Sequence, residues 1–105
     1  MKERGRQMNQ IILKTDMPNQ AAKFLFEALE TEKLRLNYSM KLAERRLSRF
    51  EKKYRVTSKE FIEEWSAEDL EGKDLEYVEW AGEYNLTKRL DERLNALKSI
   101  EHVPS

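Results

Sequence analysis

No cysteine occurs anywhere in the chain, so disulfides and thiolate metal sites are excluded. Histidine occurs once, at His102, close to the end of the sequence. A histidine-centred triad or metal site therefore has almost nothing to be built from, and His102 itself reads as an exposed tail residue. Glycine and proline are scarce, three and two among 105 residues, which leaves few places for the repeated tight turns of a sheet protein. No apolar run approaches the length of a membrane span. The charged start Met1-Lys2-Glu3-Arg4-Gly5-Arg6 is not followed by the apolar segment of a signal peptide. A cytoplasmic location without membrane contact is the expectation.

What remains is charge and aliphatic side chains. Charged residues make up 38% of the sequence and hydrophobic ones 39%, the composition of long helices with narrow apolar stripes. The length allows one domain, expected at 18–105 behind a flexible N-terminal arm at 1–17. The formal charge is zero, yet it is unevenly spread. Through Arg55 there are fourteen Lys/Arg against seven Asp/Glu, about +7, and from Val56 onward six against thirteen, about −7. Such a chain can neutralise itself by folding its halves together, or offer each half to a different partner.

Within the arm, Gln10-Ile11-Ile12-Leu13-Lys14 is a short apolar run that reads as a strand or a docking arm. A first helix is expected from Pro18-Asn19, with Asp16 or Asn19 as cap. Ala22, Leu25, Leu29, Leu36, Met40, Ala43, Leu47, Phe50 and Tyr54 recur at helical spacing, interrupted by Glu32. That rod would be roughly 50 Å long. Thr57 and Glu60 match a capping box, with Val56 as hydrophobic staple, and start a short second helix near Lys59 that ends near Trp65. A connector of residues 66–72 ends in Gly72, a natural helix stop. A third helix is expected over about 74–100, with Leu75, Val78, Gly82, Leu86, Leu90, Leu94 and Leu97 as its stripe and Tyr77, Trp80 and Tyr84 as an aromatic edge. The fold class is all-α: a helical hairpin, dimeric or partner-bound.

Two charged segments are candidate interaction surfaces. Carboxylates crowd the stretch from Glu60 to Glu83, but their spacing matches neither a calcium loop nor a di-iron bundle, so no metal or cofactor is expected. They suit docking to a basic partner. Lys41, Arg45, Arg49 and Lys52 fall on one helical face, as phosphate tracking would require, although no helix-turn-helix or zinc-finger signature accompanies them. Trp65, Tyr77, Trp80 and Tyr84 read either as core or, with Glu76, Glu79 and Glu83, as a protein-binding surface rich in hot-spot residue types.

The run Lys53-Tyr54-Arg55-Val56-Thr57-Ser58-Lys59-Glu60-Phe61, followed by Gly72, Asp74, Glu79-Trp80-Ala81, Leu90, Arg93-Leu94 and Leu97, resembles small helical proteins encoded beside TumE-type toxin genes. Those proteins are the antitoxin halves of type II pairs. The likeness covers about half the chain, Tyr54 to Leu97. The family's step of glycine then acids, and its aromatic-Glu-Trp step, stand here in looser form as Gly72-Lys73-Asp74 and Val78-Glu79-Trp80. It implies a protein that neutralises a cognate toxin by direct binding; independently, the acidic and aromatic surface suits masking a basic toxin, and the lack of candidate catalytic groups beyond carboxylates suits a non-enzymatic module. The competing expectations are a helical dimer binding nucleic acid through Lys41, Arg45, Arg49 and Lys52, and a purely structural coiled coil.

Overall fold

The computed structural model describes residues 9–65, 69 and 72–101. Among the described residues three helices carry the fold: α1 at Pro18–Tyr54, α2 at Ser58–Glu64 and α3 at Asp74–Lys98. The first and third run antiparallel as a hairpin, and α2 closes its end. The far N-terminal tail, most of the 66–72 connector and His102 lie outside the described residues.

The α1 stripe works as its spacing demands over its second half. Leu36, Ala43 and Leu47 are buried, and Met40, Phe50 and Tyr54 are half-buried. Its N-terminal cap differs from expectation. Met17 occupies the cap position and no side chain caps it, because Asp16 stands one residue too early and Asn19 already lies inside the helix. Thr15 Oγ1 instead accepts from the Met17 amide at 3.0 Å. The helix ends at Arg55, which adopts left-handed backbone angles (φ 60°, ψ 38°) and donates its amide to the Glu51 carbonyl.

Helix α2 starts as the capping box prescribes: Thr57 Oγ1 accepts from the Glu60 amide at 3.1 Å. Val56 packs into the same cluster as Phe61, as a staple should. Gly72 then turns the chain into α3 with φ 87°, a conformation that costs glycine nothing.

Among the described residues, two apolar clusters hold the hairpin. At its open end Leu36 packs with Leu90 and Leu94, flanked by Met40, Leu86 and Leu97. At its closed end Leu47, Phe61 and Trp80 are buried, with Phe50, Tyr54, Val56, Ile62, Trp65, Tyr77, Ala81 and Tyr84 packed around them. The expected α3 stripe is thus correct only from Leu86 onward. Leu75, Val78 and Gly82 are exposed, and the aromatic edge faces α1 in their place.

The strand at 10–14 is not formed. Residues 10–14 are irregular and exposed, Ile11 at 84% and Ile12 at 73%, since a lone strand has no edge to pair with. Among the described residues no helix is long and apolar enough to cross a membrane.

Candidate functional site

The four aromatic residues expected to meet a partner are brought together, but as the closed-end core. Trp80 has no exposed surface. Its ring stacks on Phe61 at 3.8 Å between centroids and on Phe50 at 5.3 Å, so rings from both other helices hold it. Trp65 meets Tyr54 edge-on at 6.1 Å. Tyr77 lies 5.0 Å from Phe61 and donates its hydroxyl to the Trp65 carbonyl at 3.4 Å. Tyr84 is half-buried against the same cluster. Trp80 cannot be a contact residue in this fold, because burial of so large a side chain is worth more than its exposure.

A polar chain that the sequence did not reveal runs behind this core. Trp80 Nε1 donates to Ser58 Oγ at 2.8 Å, and Ser58 Oγ donates to Glu51 Oε2 at 2.7 Å. The same carboxylate oxygen accepts the Ser58 amide at 2.8 Å. Glu51 of α1 thereby satisfies a free amide at the start of α2, and the serine hydroxyl links both to α3. A buried indole N–H normally needs such a partner, and that requirement was the available signal.

The three expected carboxylates divide by role. Glu76 accepts from the Tyr54 hydroxyl and from Lys53 Nζ at 2.9 Å. Those hydrogen bonds, the tyrosine's first, hold the Glu76 carboxyl below the usual glutamate range, while the bond to Glu76 pushes the Tyr54 phenol up. Glu83 pairs with Arg46 at 3.4 Å. Glu79 is exposed and without an ion pair. The basic and acidic halves therefore pair in part, at Arg46–Glu83 and Lys53–Glu76.

These residues rim a groove of about 700 Å³ between α1 and α3. Phe50, Val78 and Gly82 supply its apolar part, and Arg46, Arg49, Lys53, Glu76, Glu79 and Glu83 its rim. Gly82 leaves open space where a side chain would stand. Just beyond, Leu75 is 71% exposed and Val78 63%, so the α3 surface continues the groove with aliphatic side chains.

Elsewhere on α1, Lys41, Arg45 and Lys52 are exposed, as is Arg49, which also reaches the groove rim, and none of the four forms an ion pair. At about 100° per residue they occupy one side of the helix. Among the described residues no three carboxylates or histidines gather as a metal site. Set against models of protein families, characterised proteins and solved structures, the chain matches none.

Proposed function

We propose that this chain is a non-enzymatic protein-binding module that receives its partner on the outer surface of α3 and in the adjoining groove. Its more specific form is the antitoxin of a type II pair, neutralising a basic toxin by occupying it. The observation that supports the reading is the exposure of Leu75 and Val78 beside the unpaired Glu79, on a helix clamped from behind by stacked aromatic rings. Interfaces concentrate their energy in apolar anchors held on rigid elements, with charge around them setting partner choice. Trp80, Tyr77 and Trp65 then act from behind the surface, holding α3 in place. Occupancy alone suffices, with no turnover.

The test compares the tagged wild-type chain with a Leu75→Ser, Val78→Ser, Glu79→Lys variant in its native host. A stoichiometric partner held by the first and lost by the second supports the module. Growth arrest by that partner alone, relieved by co-expression, supports the antitoxin form. Recovery of the chain by itself, or of a partner indifferent to the triple change, defeats it.

A second reading is favoured by the sorting of charges on α1. Arg46 and Lys53 are paired across the hairpin, whereas Lys41, Arg45, Arg49 and Lys52 point outward without acids. That row suits a phosphate backbone. If all four contact duplex phosphates, log affinity should fall with log salt at a slope of about −3.6. Absence of binding at low salt removes this reading.

A further inference from the structure

The α1 stripe outlasts the helix that covers it. Arg46 stands opposite Glu83 and Lys53 opposite Glu76. Continued along the hairpin, that antiparallel register puts Lys98, the last residue of α3, level with about residue 31 of α1. Residues 18–30 therefore project beyond the hairpin by about 20 Å. Ala22, Leu25 and Leu29 lie there in phase with Leu36, Ala43 and Leu47, so the seam continues past the point where α3 stops. The shape carries the same mark. The chain extends 61 Å with a radius of gyration of 19.6 Å, against about 13 Å for a compact chain of this length. It exposes 8823 Å², where a compact chain of this mass would expose about 6,200 Å². A standard interface removes only about 800 Å² per partner.

We infer that a second copy of this chain covers the seam, the two α1 overhangs packing antiparallel about a two-fold axis between Ala22 and Leu25. In that register Leu25 of each copy lies over Ala22 of the other, so large meets small. Leu29 lies over Met17 and Pro18, and Met17 is itself 52% exposed in the single chain. Pro18 of the second copy then begins next to where Lys98 of the first ends. The incoming helix takes over from α3 on the same face of α1, running in the same direction, without overlapping it. A parallel pairing has no such fit. Both copies would run together into the region where each α1 is already covered by its own α3, and the helices would have to splay. The inference is independent of the partner surface on α3, which lies at the other end of the hairpin, so the dimer would carry two partner sites far apart.

Sedimentation velocity on the full chain over a hundredfold range of concentration tests the pairing. Dimer for the wild type, and monomer with retained helical circular dichroism for Leu25→Glu with Leu29→Glu, is the expected result. Glutamate is a good helix former, and Leu25 and Leu29 belong to neither of the clusters that hold the hairpin, so the variant folds. A control carrying Leu75→Ser and Val78→Ser stays dimeric even if the α3 surface binds nothing. Because the chain has no cysteine, direction is read by oxidation of Met17→Cys and Leu29→Cys chains. A mixture should cross-link while each alone does not. A wild type monomeric throughout, a dimeric glutamate variant, or efficient cross-linking of either cysteine chain alone overturns the inference.

Discussion

Ser58 is small and sits at a helix start, yet the hairpin should depend on it. Ser58→Ala removes the acceptor for Trp80 Nε1 and one donor to Glu51. The indole N–H is buried, and a buried donor left without a partner costs about 1–3 kcal/mol. The lost hydroxyl–carboxylate bond is of the charged class, about 1.5–3 kcal/mol. Its cost falls at the lower end here, because Glu51 keeps the Ser58 amide. A total of about 3 kcal/mol follows, a large fraction of the 5–15 kcal/mol that holds a domain of this size. The assay is urea unfolding followed by far-ultraviolet circular dichroism, in a host carrying Leu25→Glu and Leu29→Glu so that self-association does not enter. Trp80→Phe supplies the cross-check. It removes the N–H itself, so Ser58→Ala in that background should cost about 1–2 kcal/mol less than in the host. A cost below about 0.5 kcal/mol, or additivity of the two changes within the usual 0.3–0.5 kcal/mol, would refute the account of a linked Trp80–Ser58–Glu51 chain.

Three further outcomes can be checked the same way. Arg55→Gly should raise stability by about 0.5–1 kcal/mol, since the left-handed backbone at this position burdens every residue with a side chain; a destabilised variant would contradict that. Thr57→Ala should lower stability by about 1 kcal/mol through loss of the α2 cap, and an unchanged urea midpoint would show the cap to be idle. Glu76 has a folded pKa below its ordinary value, so its contribution is present above about pH 4.3 and is lost as pH falls through the lower folded value. Stability plotted against pH should therefore fall more steeply on the acid side for wild type than for Glu76→Gln, and superimposable acid limbs would exclude the Tyr54 and Lys53 bonds as the cause.

Why α1 was legible and α3 only half so comes down to step length. At about 100° per residue, alternating steps of three and four keep a stripe on one side of a helix. The α1 positions alternate in that way from Ala22 to Leu29 and again from Leu36 to Tyr54, and those from Leu36 onward face α3. The stripe read for α3 takes four consecutive steps of four, from Val78 through Gly82, Leu86 and Leu90 to Leu94. Each such step overshoots a full turn by about 40°, so the stripe drifts about 160° round the helix. It cannot face one neighbour at both ends. Carried back from Leu94 and Leu90 along a straight line, the inward face meets Trp80 and Glu76, which is where the structure puts them. The aromatic edge was therefore core, and the aliphatic residues displaced by the drift became the exposed surface. The Ser58 network stayed invisible for another reason. It joins three helices, and nothing in the local spacing shows which side chain will meet the indole.

The charge split leads to a distinction between two ways this molecule can meet another. Cross-hairpin pairing uses Arg46, Lys53, Glu76 and Glu83. The outward row of α1 remains basic, and the outer α3 surface keeps Asp74 and Glu79 exposed. Of the two broad sides, the one formed by α1 is thus basic along that row and the one formed by α3 carries acids at its start, so at low salt one copy's row attracts another's α3 start. Such contacts lie in solvent and weaken once the screening length drops to about 8–10 Å at ordinary ionic strength. Packing of Leu25 and Leu29 across the overhang does not weaken with salt, because removal of apolar surface from water involves no screened charge. Self-association that disappears on adding salt would therefore belong to the broad sides, and association that persists would belong to the seam. The same reasoning applies to the partner proposed for α3: its arrival should quicken at low salt through Glu79 and its neighbours, while its retention should rest on Leu75 and Val78.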